Sequence, residues 1–193
     1  MDLVALNAFV KYKPKNLSGG LLRRLNRAGG IAHRPDIIIL DEPTVAVDPQ
    51  SRNNILEGIK KLNEEGSTII YTSHYMDEVD FLCDDIVIID KGKVIAKGTS
   101  NELKDMIQIG EKISFEANDL TDEVKEKLIN MTHIIDFAYK DGTCKMTFSK
   151  SEENLLSLVR ILSENQVSYR SINVEKPSLN DVFLELTGKD LRD

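Results

Sequence analysis

Two adjacent carboxylates, Asp41 and Glu42, directly follow a run of four aliphatic residues, Ile37 to Leu40. Such a run is typical of a strand in a parallel sheet that is covered on both faces. The acids would then lie at the carboxyl edge, where open α/β sheets bind ligands. There one acid can hold Mg²⁺ through water while its neighbour orients or deprotonates an attacking water. Taken alone, the pair is equally consistent with two exposed acids at an ordinary strand end.

His74 is a third candidate, because it comes just after a second predicted strand, Thr68 to Thr72. An imidazole in this position could reach a phosphate or an attacking water. A lone histidine after a strand is usually an ordinary surface side chain. The catalytic interpretation therefore depends on the combination of His74 with the acids and with the Pro43-Thr44 that follows them.

Ser18, Gly19 and Gly20 precede a predicted helix and are suited to binding an anion. The first backbone N–H groups of a helix point outward, and the helix dipole favours negative charge there. In isolation, Ser18 is more simply a helix N-cap and the glycines a loop. The arginines Arg23 and Arg24 that follow, and the aliphatic strand ending in two acids, make the pattern far more specific.

One expected motif has no match among the 193 residues. The glycine-rich loop GxxxxGK[ST] cradles nucleotide phosphates with its backbone N–H groups and its lysine. The sequence therefore contains candidate catalytic residues but no match to the loop that makes the main contacts with the phosphates.

The first hundred residues alternate between strand and helix patterns, which favours a parallel sheet flanked by helices. Asp48 and Pro49 supply an N-cap and a first helical proline, and Gly66 ends that helix. A short helix is predicted over 75–83, and a hairpin over 85–97.

From Lys112 the pattern changes to short elements in the order βαββαβ. Asp141-Gly142 is a strong tight-turn signal between two of the strands, and Ser178 to Asp181 is a capping box for a last helix. This order predicts a small α+β domain of the split-βαβ, ferredoxin-like type. With the boundary at Gly110, the predicted domains are residues 1–110 and 111–193.

The composition is that of a globular protein, with 41% hydrophobic and 30% charged residues. After Ser100 there are 18 acidic and 12 basic residues, which argues against nucleic acid as the ligand of this half. The spacing of Cys83 and Cys144 suggests neither a zinc site nor a disulfide framework. No apolar run approaches the roughly 20 residues that span a bilayer, so a cytoplasmic protein is expected.

Together these segments resemble an ATP-binding cassette of the ABC transporter family. The resemblance rests on a signature loop (16–26), a Walker B strand (37–42), a D-loop (45–48) and a switch histidine at His74. The ending PSLNDVFLELTG, residues 177–188, resembles the C-terminal extension of ABC-2 type exporters. The resemblance therefore covers nearly the whole chain and implies the distal, C-terminal part of an ABC-type P-loop ATPase domain followed by the α+β domain.

The resemblance also implies roles for the matching residues. Glu42 would be the general base, His74 would contact the γ-phosphate of ATP, and Asp41 would help to place Mg²⁺. In this family two cassettes enclose two nucleotides. The signature loop, here Ser18 to Gly20, would contact the ATP of a second ABC ATPase subunit, and Asp48 would bridge the interface.

A complete subunit of this kind couples ATP hydrolysis to export by an integral membrane permease, on the inner face of the membrane. Two alternatives stay open at the sequence level. One is a non-hydrolysing module that completes a partner cassette's nucleotide site. The other is an ABC ATPase outside transport, which would be expected to show long heptad coiled coils or a tandem second cassette.

Overall fold

The computed structural model describes residues 9–188. The chain divides into two compact units, Met1–Ile86 and Val87–Asp193, and each is described by itself. Gly110 lies inside a strand of the second unit. The domain bounds predicted from the sequence, 1–110 and 111–193, stay a prediction. No helix in the described part of the chain is long and apolar enough to cross a membrane.

The first unit alternates helices and strands, as predicted. Its elements are α1 (Gly19–Ile31), β1 (Ile37–Asp41), α2 (Pro49–Glu64), β2 (Thr68–Thr72) and α3 (Met76–Leu82). Strands β1 and β2 are parallel neighbours, with Ile38 opposite Ile69 and Asp41 opposite Thr72. This register brings the residues that follow the two strands to one edge of the sheet, and the predicted α/β class is confirmed.

Helix α2 shows how local sequence starts and stops an element. Asp48 is its N-cap, with the side chain accepting a hydrogen bond from Ser51 N, and Pro49 takes the first helical position. The chain leaves the helix through Gly66 at φ 106°, a conformation that glycine adopts at no steric cost. The apolar face of the helix is buried through Ile55, Ile59 and neighbouring residues.

The prediction that the strand Ile37 to Leu40 is covered on both faces is wrong for this structure. Ile38 is buried, whereas Ile37 and Ile39 are 62% and 69% exposed. Successive side chains of a strand point to opposite faces of the sheet. Within residues 9–188, only the face that carries Ile38 is covered.

The second unit begins with the predicted hairpin and continues as the βαββαβ domain. Its elements are β3 (Ile86–Asp90), β4 (Lys93–Gly98), α4 (Ser100–Met106), β5 (Ile109–Glu116), α5 (Asp122–Ile129), β6 (Ile134–Lys140), β7 (Thr143–Ser149), α6 (Asn154–Glu164), β8 (Arg170–Glu175) and α7 (Leu179–Thr187). The last four strands form one antiparallel sheet in the order β6-β7-β5-β8. A core that includes Ile113, Leu128, Phe148 and Leu158 lies between this sheet and helices α5 and α6.

The last helix, α7, is attached by a buried carboxylate. Ser178 and Asp181 form the predicted capping box, since each side chain bonds the backbone N–H of the other residue. Asp181 also accepts a hydrogen bond from Lys112 of β5. Although burial alone raises the pKa of Asp181, the bonds from Lys112 and Ser178 outweigh it and hold the pKa below its ordinary value.

Replacing Gly110 by alanine is expected to destabilise the second unit. A Cβ at this position would lie 2.5 Å from Lys150 Cα and 2.7 Å from Lys150 N, which are backbone atoms that cannot move aside. Overpacking of this kind typically costs about 1–3 kcal/mol. Thermal or urea unfolding of Gly110→Ala would measure the change.

Gly30→Ala is the matched control for that measurement. Gly30 lies in α1, and nothing lies within 4 Å of a Cβ placed there. Alanine should therefore be neutral or stabilise by up to about 1 kcal/mol. If both variants unfold like the parent chain, the close approach of β5 and β7 at Gly110 is not as tight as described.

Candidate functional site

Glu42 and His74 meet at the edge where β1 and β2 end. His74 Nδ1 lies 2.9 Å from Glu42 Oε1, although the two residues are 32 positions apart in the chain. An ionised carboxylate accepts hydrogen bonds only, so Nδ1 is the donor. The structure thus brings together the two residues predicted to be catalytic.

The second oxygen of Glu42 is available for another group. Oε2 is buried and, among the side chains that the structure describes, it is the one buried nitrogen or oxygen atom without a hydrogen-bond partner. Buried polar atoms are nearly always paired, so an unpaired carboxylate oxygen indicates a place for a water molecule or a ligand. A carboxylate held by histidine through one oxygen and open at the other can accept a proton from a water.

The backbone around Glu42 is strained. Glu42 has φ 44° and Ala46 has φ 58°, in the left-handed region that costs about 1–2 kcal/mol per non-glycine residue. Glu42 N donates to the carbonyl oxygen of Thr72 at 3.1 Å, which ties this turn to the end of β2. Strain of this kind persists where surrounding contacts impose it, and it is common at functional sites.

Asp41 is the predicted metal-binding residue, and it is exposed at the end of β1. Its Oδ1 accepts a hydrogen bond of 2.5 Å from the Thr72 hydroxyl. Thr72 thus contacts both neighbouring acids, Asp41 through its side chain and Glu42 through its carbonyl. The sequence analysis did not single out Thr72, although its place at the end of β2, opposite Asp41, follows from the parallel pairing of β1 with β2.

The other four predicted site residues lie at two helix N-termini. Ser18 is the N-cap of α1, with Oγ accepting from Leu21 N at 3.4 Å, and Gly19 and Gly20 are its first, exposed residues. Asp48 is the exposed N-cap of α2. The simpler interpretation is therefore correct for Ser18, which is an N-cap, and wrong for Gly19 and Gly20, which belong to the helix and not to a loop. An N-cap at Ser18 is compatible with an anion site. A nucleotide-contacting role for these residues stays a prediction.

The sequence analysis missed a buried carboxylate next to this edge. Glu78 of α3 is 1% exposed, and its two oxygens accept hydrogen bonds from the side chains of Thr44, Arg52, Tyr71 and Ser73. One signal could have revealed it. In the helical spacing of Tyr75, Val79 and Leu82, Glu78 occupies a position on the inward face, where an acid needs partners.

The pKa of Glu78 reflects these partners. Burial by itself raises it, but hydrogen bonds from Tyr71, Thr44 and Ser73 and the charge of Arg52 together hold the pKa below its ordinary value. Burial, together with the hydrogen bond to Glu78, raises the pKa of the Tyr71 hydroxyl well above its usual range. Because the carboxylate pKa is lower in the folded than in the unfolded state, Glu78 stabilises the fold at neutral pH, and this contribution is lost as the pH falls through the folded-state value.

Comparison with known proteins gave a family match for the second half of the chain. Residues 98–187 match the family described as ATP-binding protein DrrA1-3-like, C-terminal domain. The match includes the complete βαββαβ domain and the whole of the final helix α7.

Curated relatives match the whole chain or nearly all of it. The linearmycin resistance ATP-binding protein LnrL of Bacillus subtilis (strain 168) is 39% identical and covers 100% of this chain. The Nod factor export ATP-binding protein I of Cupriavidus pinatubonensis is 35% identical over 100% of the chain. The daunorubicin/doxorubicin resistance ATP-binding protein DrrA of Streptomyces peucetius is 32% identical over 90%. These relatives are longer, since the chain covers 63%, 57% and 53% of their respective lengths.

Proposed function

We propose that this chain, which belongs to the ATP-binding proteins of ABC exporters, contributes the hydrolytic residues of an exporter's ATP-binding subunit. It carries the DrrA1-3-like C-terminal domain of that family. The family predicted from the sequence motifs is confirmed by these relatives. The activity of the whole subunit is a proposal, because the chain spans about half to two thirds of the relatives' length.

The observation that carries the proposal is the carboxylate of Glu42, which is paired through one oxygen and unpaired at the other, buried one. With Oε1 held by His74 Nδ1 and Oε2 unpaired, Glu42 is arranged as a base for an attacking water. A phosphoryl oxygen only accepts hydrogen bonds, so Nε2 of His74 donates to it when both ring nitrogens carry a proton. We assign Glu42 as the general base and His74 as the group that orients it and contacts the γ-phosphate of ATP.

Asp41 fits the metal-binding role that the family implies. Residues 9–188 contain no group of three or more His, Cys, Asp or Glu side chains that could enclose a metal ion. Mg²⁺ does not require such a cage, since it is commonly held by one or two carboxylates, waters and substrate phosphates. One exposed carboxylate oriented by Thr72 meets this requirement. Bound Mg²⁺ would offset the negative charge of the phosphates beside Asp41 and Glu42.

Two further surfaces would serve a partner. Ser18, Gly19 and Gly20 present the exposed N-terminus of α1, which suits a phosphate group bound by a second ATP-binding subunit. Asp48, at the start of α2, would lie at the same subunit interface. The complete subunit would act at the inner face of the membrane by binding a separate permease. The three relatives are named for different compounds, so no cargo is proposed.

The chain by itself is expected to bind ATP weakly or not at all. It lacks the phosphate loop, so two carboxylates and a histidine would face a multiply charged anion with little net attraction. Joining a cassette segment that contains a GxxxxGK[ST] loop to the N-terminal side of the chain should supply those phosphate contacts and give a fusion protein with Mg²⁺-dependent ATP binding and hydrolysis. Calorimetric titration with Mg-ATP and a phosphate-release assay would compare the chain with this fusion protein.

Variants at the two ends of β1 separate the possible outcomes. Asp41→Ala should weaken Mg-ATP binding by the fusion protein, whereas Asp36→Ala, an exposed acid just before β1, should not. A well-folded fusion protein without ATPase activity would contradict the proposed function. Saturable micromolar binding by the chain alone that disappears in Asp41→Ala would show that the nucleotide is held differently.

A further inference from the structure

A single buried carboxylate holds together four segments of the first unit. Glu78 Oε2 accepts hydrogen bonds from Thr44 Oγ1 at 2.9 Å, from the Tyr71 hydroxyl at 2.5 Å and from Ser73 Oγ at 3.0 Å. Glu78 Oε1 accepts one from Arg52 Nε at 2.5 Å. The donors belong to the turn after β1, to helix α2, to β2 and to the turn after β2.

Two of these donors stand next to the proposed catalytic pair. Thr44 follows Glu42 by two residues, and its side chain is buried, with 2% of the residue exposed. Ser73 immediately precedes His74, and its Oγ also accepts from Tyr75 N at 3.0 Å. Both turns that carry the Glu42–His74 hydrogen bond are therefore anchored to the same carboxylate.

Arg52 adds a second connection to His74. Besides Glu78, its guanidinium binds Asp77 Oδ2 at 2.9 Å and lies 4.6 Å from the centre of the Tyr75 ring. The Tyr75 ring in turn lies 4.2 Å from the centre of the His74 imidazole. A cation over an aromatic face is attracted by the ring, so Arg52 restrains the ring against which His74 packs.

We infer that Glu78 is a positioning residue for the Glu42–His74 pair, and that Arg52 extends this restraint to helix α2, whose N-cap is Asp48. The relevance of the pair to hydrolysis rests on the proposed function. The positioning itself rests on the contacts around Glu78.

The chemistry of the cluster supports a positioning role over a purely packing one. A buried ionised group is costly unless it is fully paired, and apolar residues would stabilise a core at least as well. A carboxylate with several directional partners specifies the relative placement of the segments that donate to it. Here those segments include the turns on both sides of the Glu42–His74 hydrogen bond.

The test uses the histidine side chains of the chain itself, labelled with ¹⁵N. Two-bond ¹⁵N–¹H spectra distinguish an imidazole protonated at Nδ1 from one protonated at Nε2. The chain has three histidines, and the exposed His33 serves as an internal reference. In the parent chain His74 should show the Nδ1–H form, as required by its bond to Glu42. In Glu78→Gln this form should fall to the proportion seen for His33.

Asp181→Asn is the matched control. Asp181 is also a buried carboxylate, 5% exposed, with bonds from Lys112 and Ser178, but it belongs to the second unit. Its replacement should destabilise the chain without changing the His74 spectrum. Circular dichroism and thermal unfolding of each variant would show which proteins are folded at the temperature of the measurement.

A second pair of variants decides the question if Glu78→Gln does not fold. Tyr71→Phe removes one hydroxyl bond to Glu78, and Tyr139→Phe removes a hydroxyl bond of 2.7 Å to the carbonyl of Ala117 in the second unit. The Nδ1–H form of His74 should decrease in the first variant alone. An unchanged His74 spectrum in folded Glu78→Gln or Tyr71→Phe would overturn the inference, as would a parent chain in which His74 lacks the Nδ1–H form.

The same variants in the fusion protein separate this inference from the proposed function. Glu78→Gln should lower kcat while leaving KM for ATP nearly unchanged, because the phosphate loop supplies most of the affinity. If the fusion protein has no activity at all but the His74 spectrum changes as expected, the proposed function fails and the positioning role stands. If Glu78→Gln raises KM alone, Glu78 does not act on the catalytic pair.

Discussion

Glu42→Gln in the fusion protein is expected to reduce kcat for ATP hydrolysis by about 10²–10⁴-fold, the usual contribution of a general base. Glutamine keeps the size of the side chain but cannot take a proton from water. The dissociation constant for Mg-ATP should change only slightly, because the base acts on the hydrolytic water and not on the bound nucleotide. Steady-state phosphate release and calorimetric titration measure the two quantities on the same preparation.

Glu57→Gln is the control for loss of one negative charge in the same unit. Glu57 is exposed on α2, and its replacement should leave both quantities near the parent values. A fusion protein with Glu42→Gln that turns over ATP at a near-normal rate would remove Glu42 from the catalytic role. A matching loss of binding and turnover would instead indicate that Glu42 holds the nucleotide or its metal.

Phe148→Ala is expected to destabilise the second unit by about 3–5 kcal/mol, the range for a phenylalanine truncated in a core. Phe148 of β7 is 0% exposed and belongs to the cluster that also contains Leu128 and Leu158. Truncation removes apolar area from the core and leaves a cavity that the surrounding strands can only partly close. Urea unfolding followed by circular dichroism would measure the loss.

Ile135→Ala provides the comparison on the same sheet. Ile135 lies on β6 and is 51% exposed, so its truncation should cost much less than that of Phe148. Similar losses in the two variants would mean that the core is not packed as described. A change confined to the unfolding slope, with an unchanged midpoint, would point to an altered unfolded state.

Several elements could be predicted from the chain alone because their signals are local. The start of α2 at Asp48-Pro49, the tight turn at Asp141-Gly142 and the capping box at Ser178 each depend on residues within four positions of one another. The order βαββαβ follows from the periodicity of short segments, and it corresponds to a single sheet in the structure. Local backbone preferences and side-chain capping determine such features whatever the rest of the chain does.

The types of the site residues were also evident from the sequence. Asp41, Glu42 and His74 could be proposed because each follows a strand pattern, and the carboxyl ends of parallel strands are where such sheets bind ligands. Their identification did not require the distance between them. The sequence did not reveal which oxygen of Glu42 is paired, or that Thr72 contacts both acids.

Tertiary structure alone decided what surrounds those residues. The prediction that both faces of β1 are covered failed because a run of four aliphatic residues does not specify which elements pack against it. Helical spacing places Glu78 on the inward face of α3, but it does not identify the donors, which come from as many as 34 positions away. The sequence by itself determined the elements, the residue types at their ends and the family. Burial and pairing depend on contacts between distant segments. The fold therefore decided the hydrogen bond between Glu42 and His74 and the burial of Glu78 beside it.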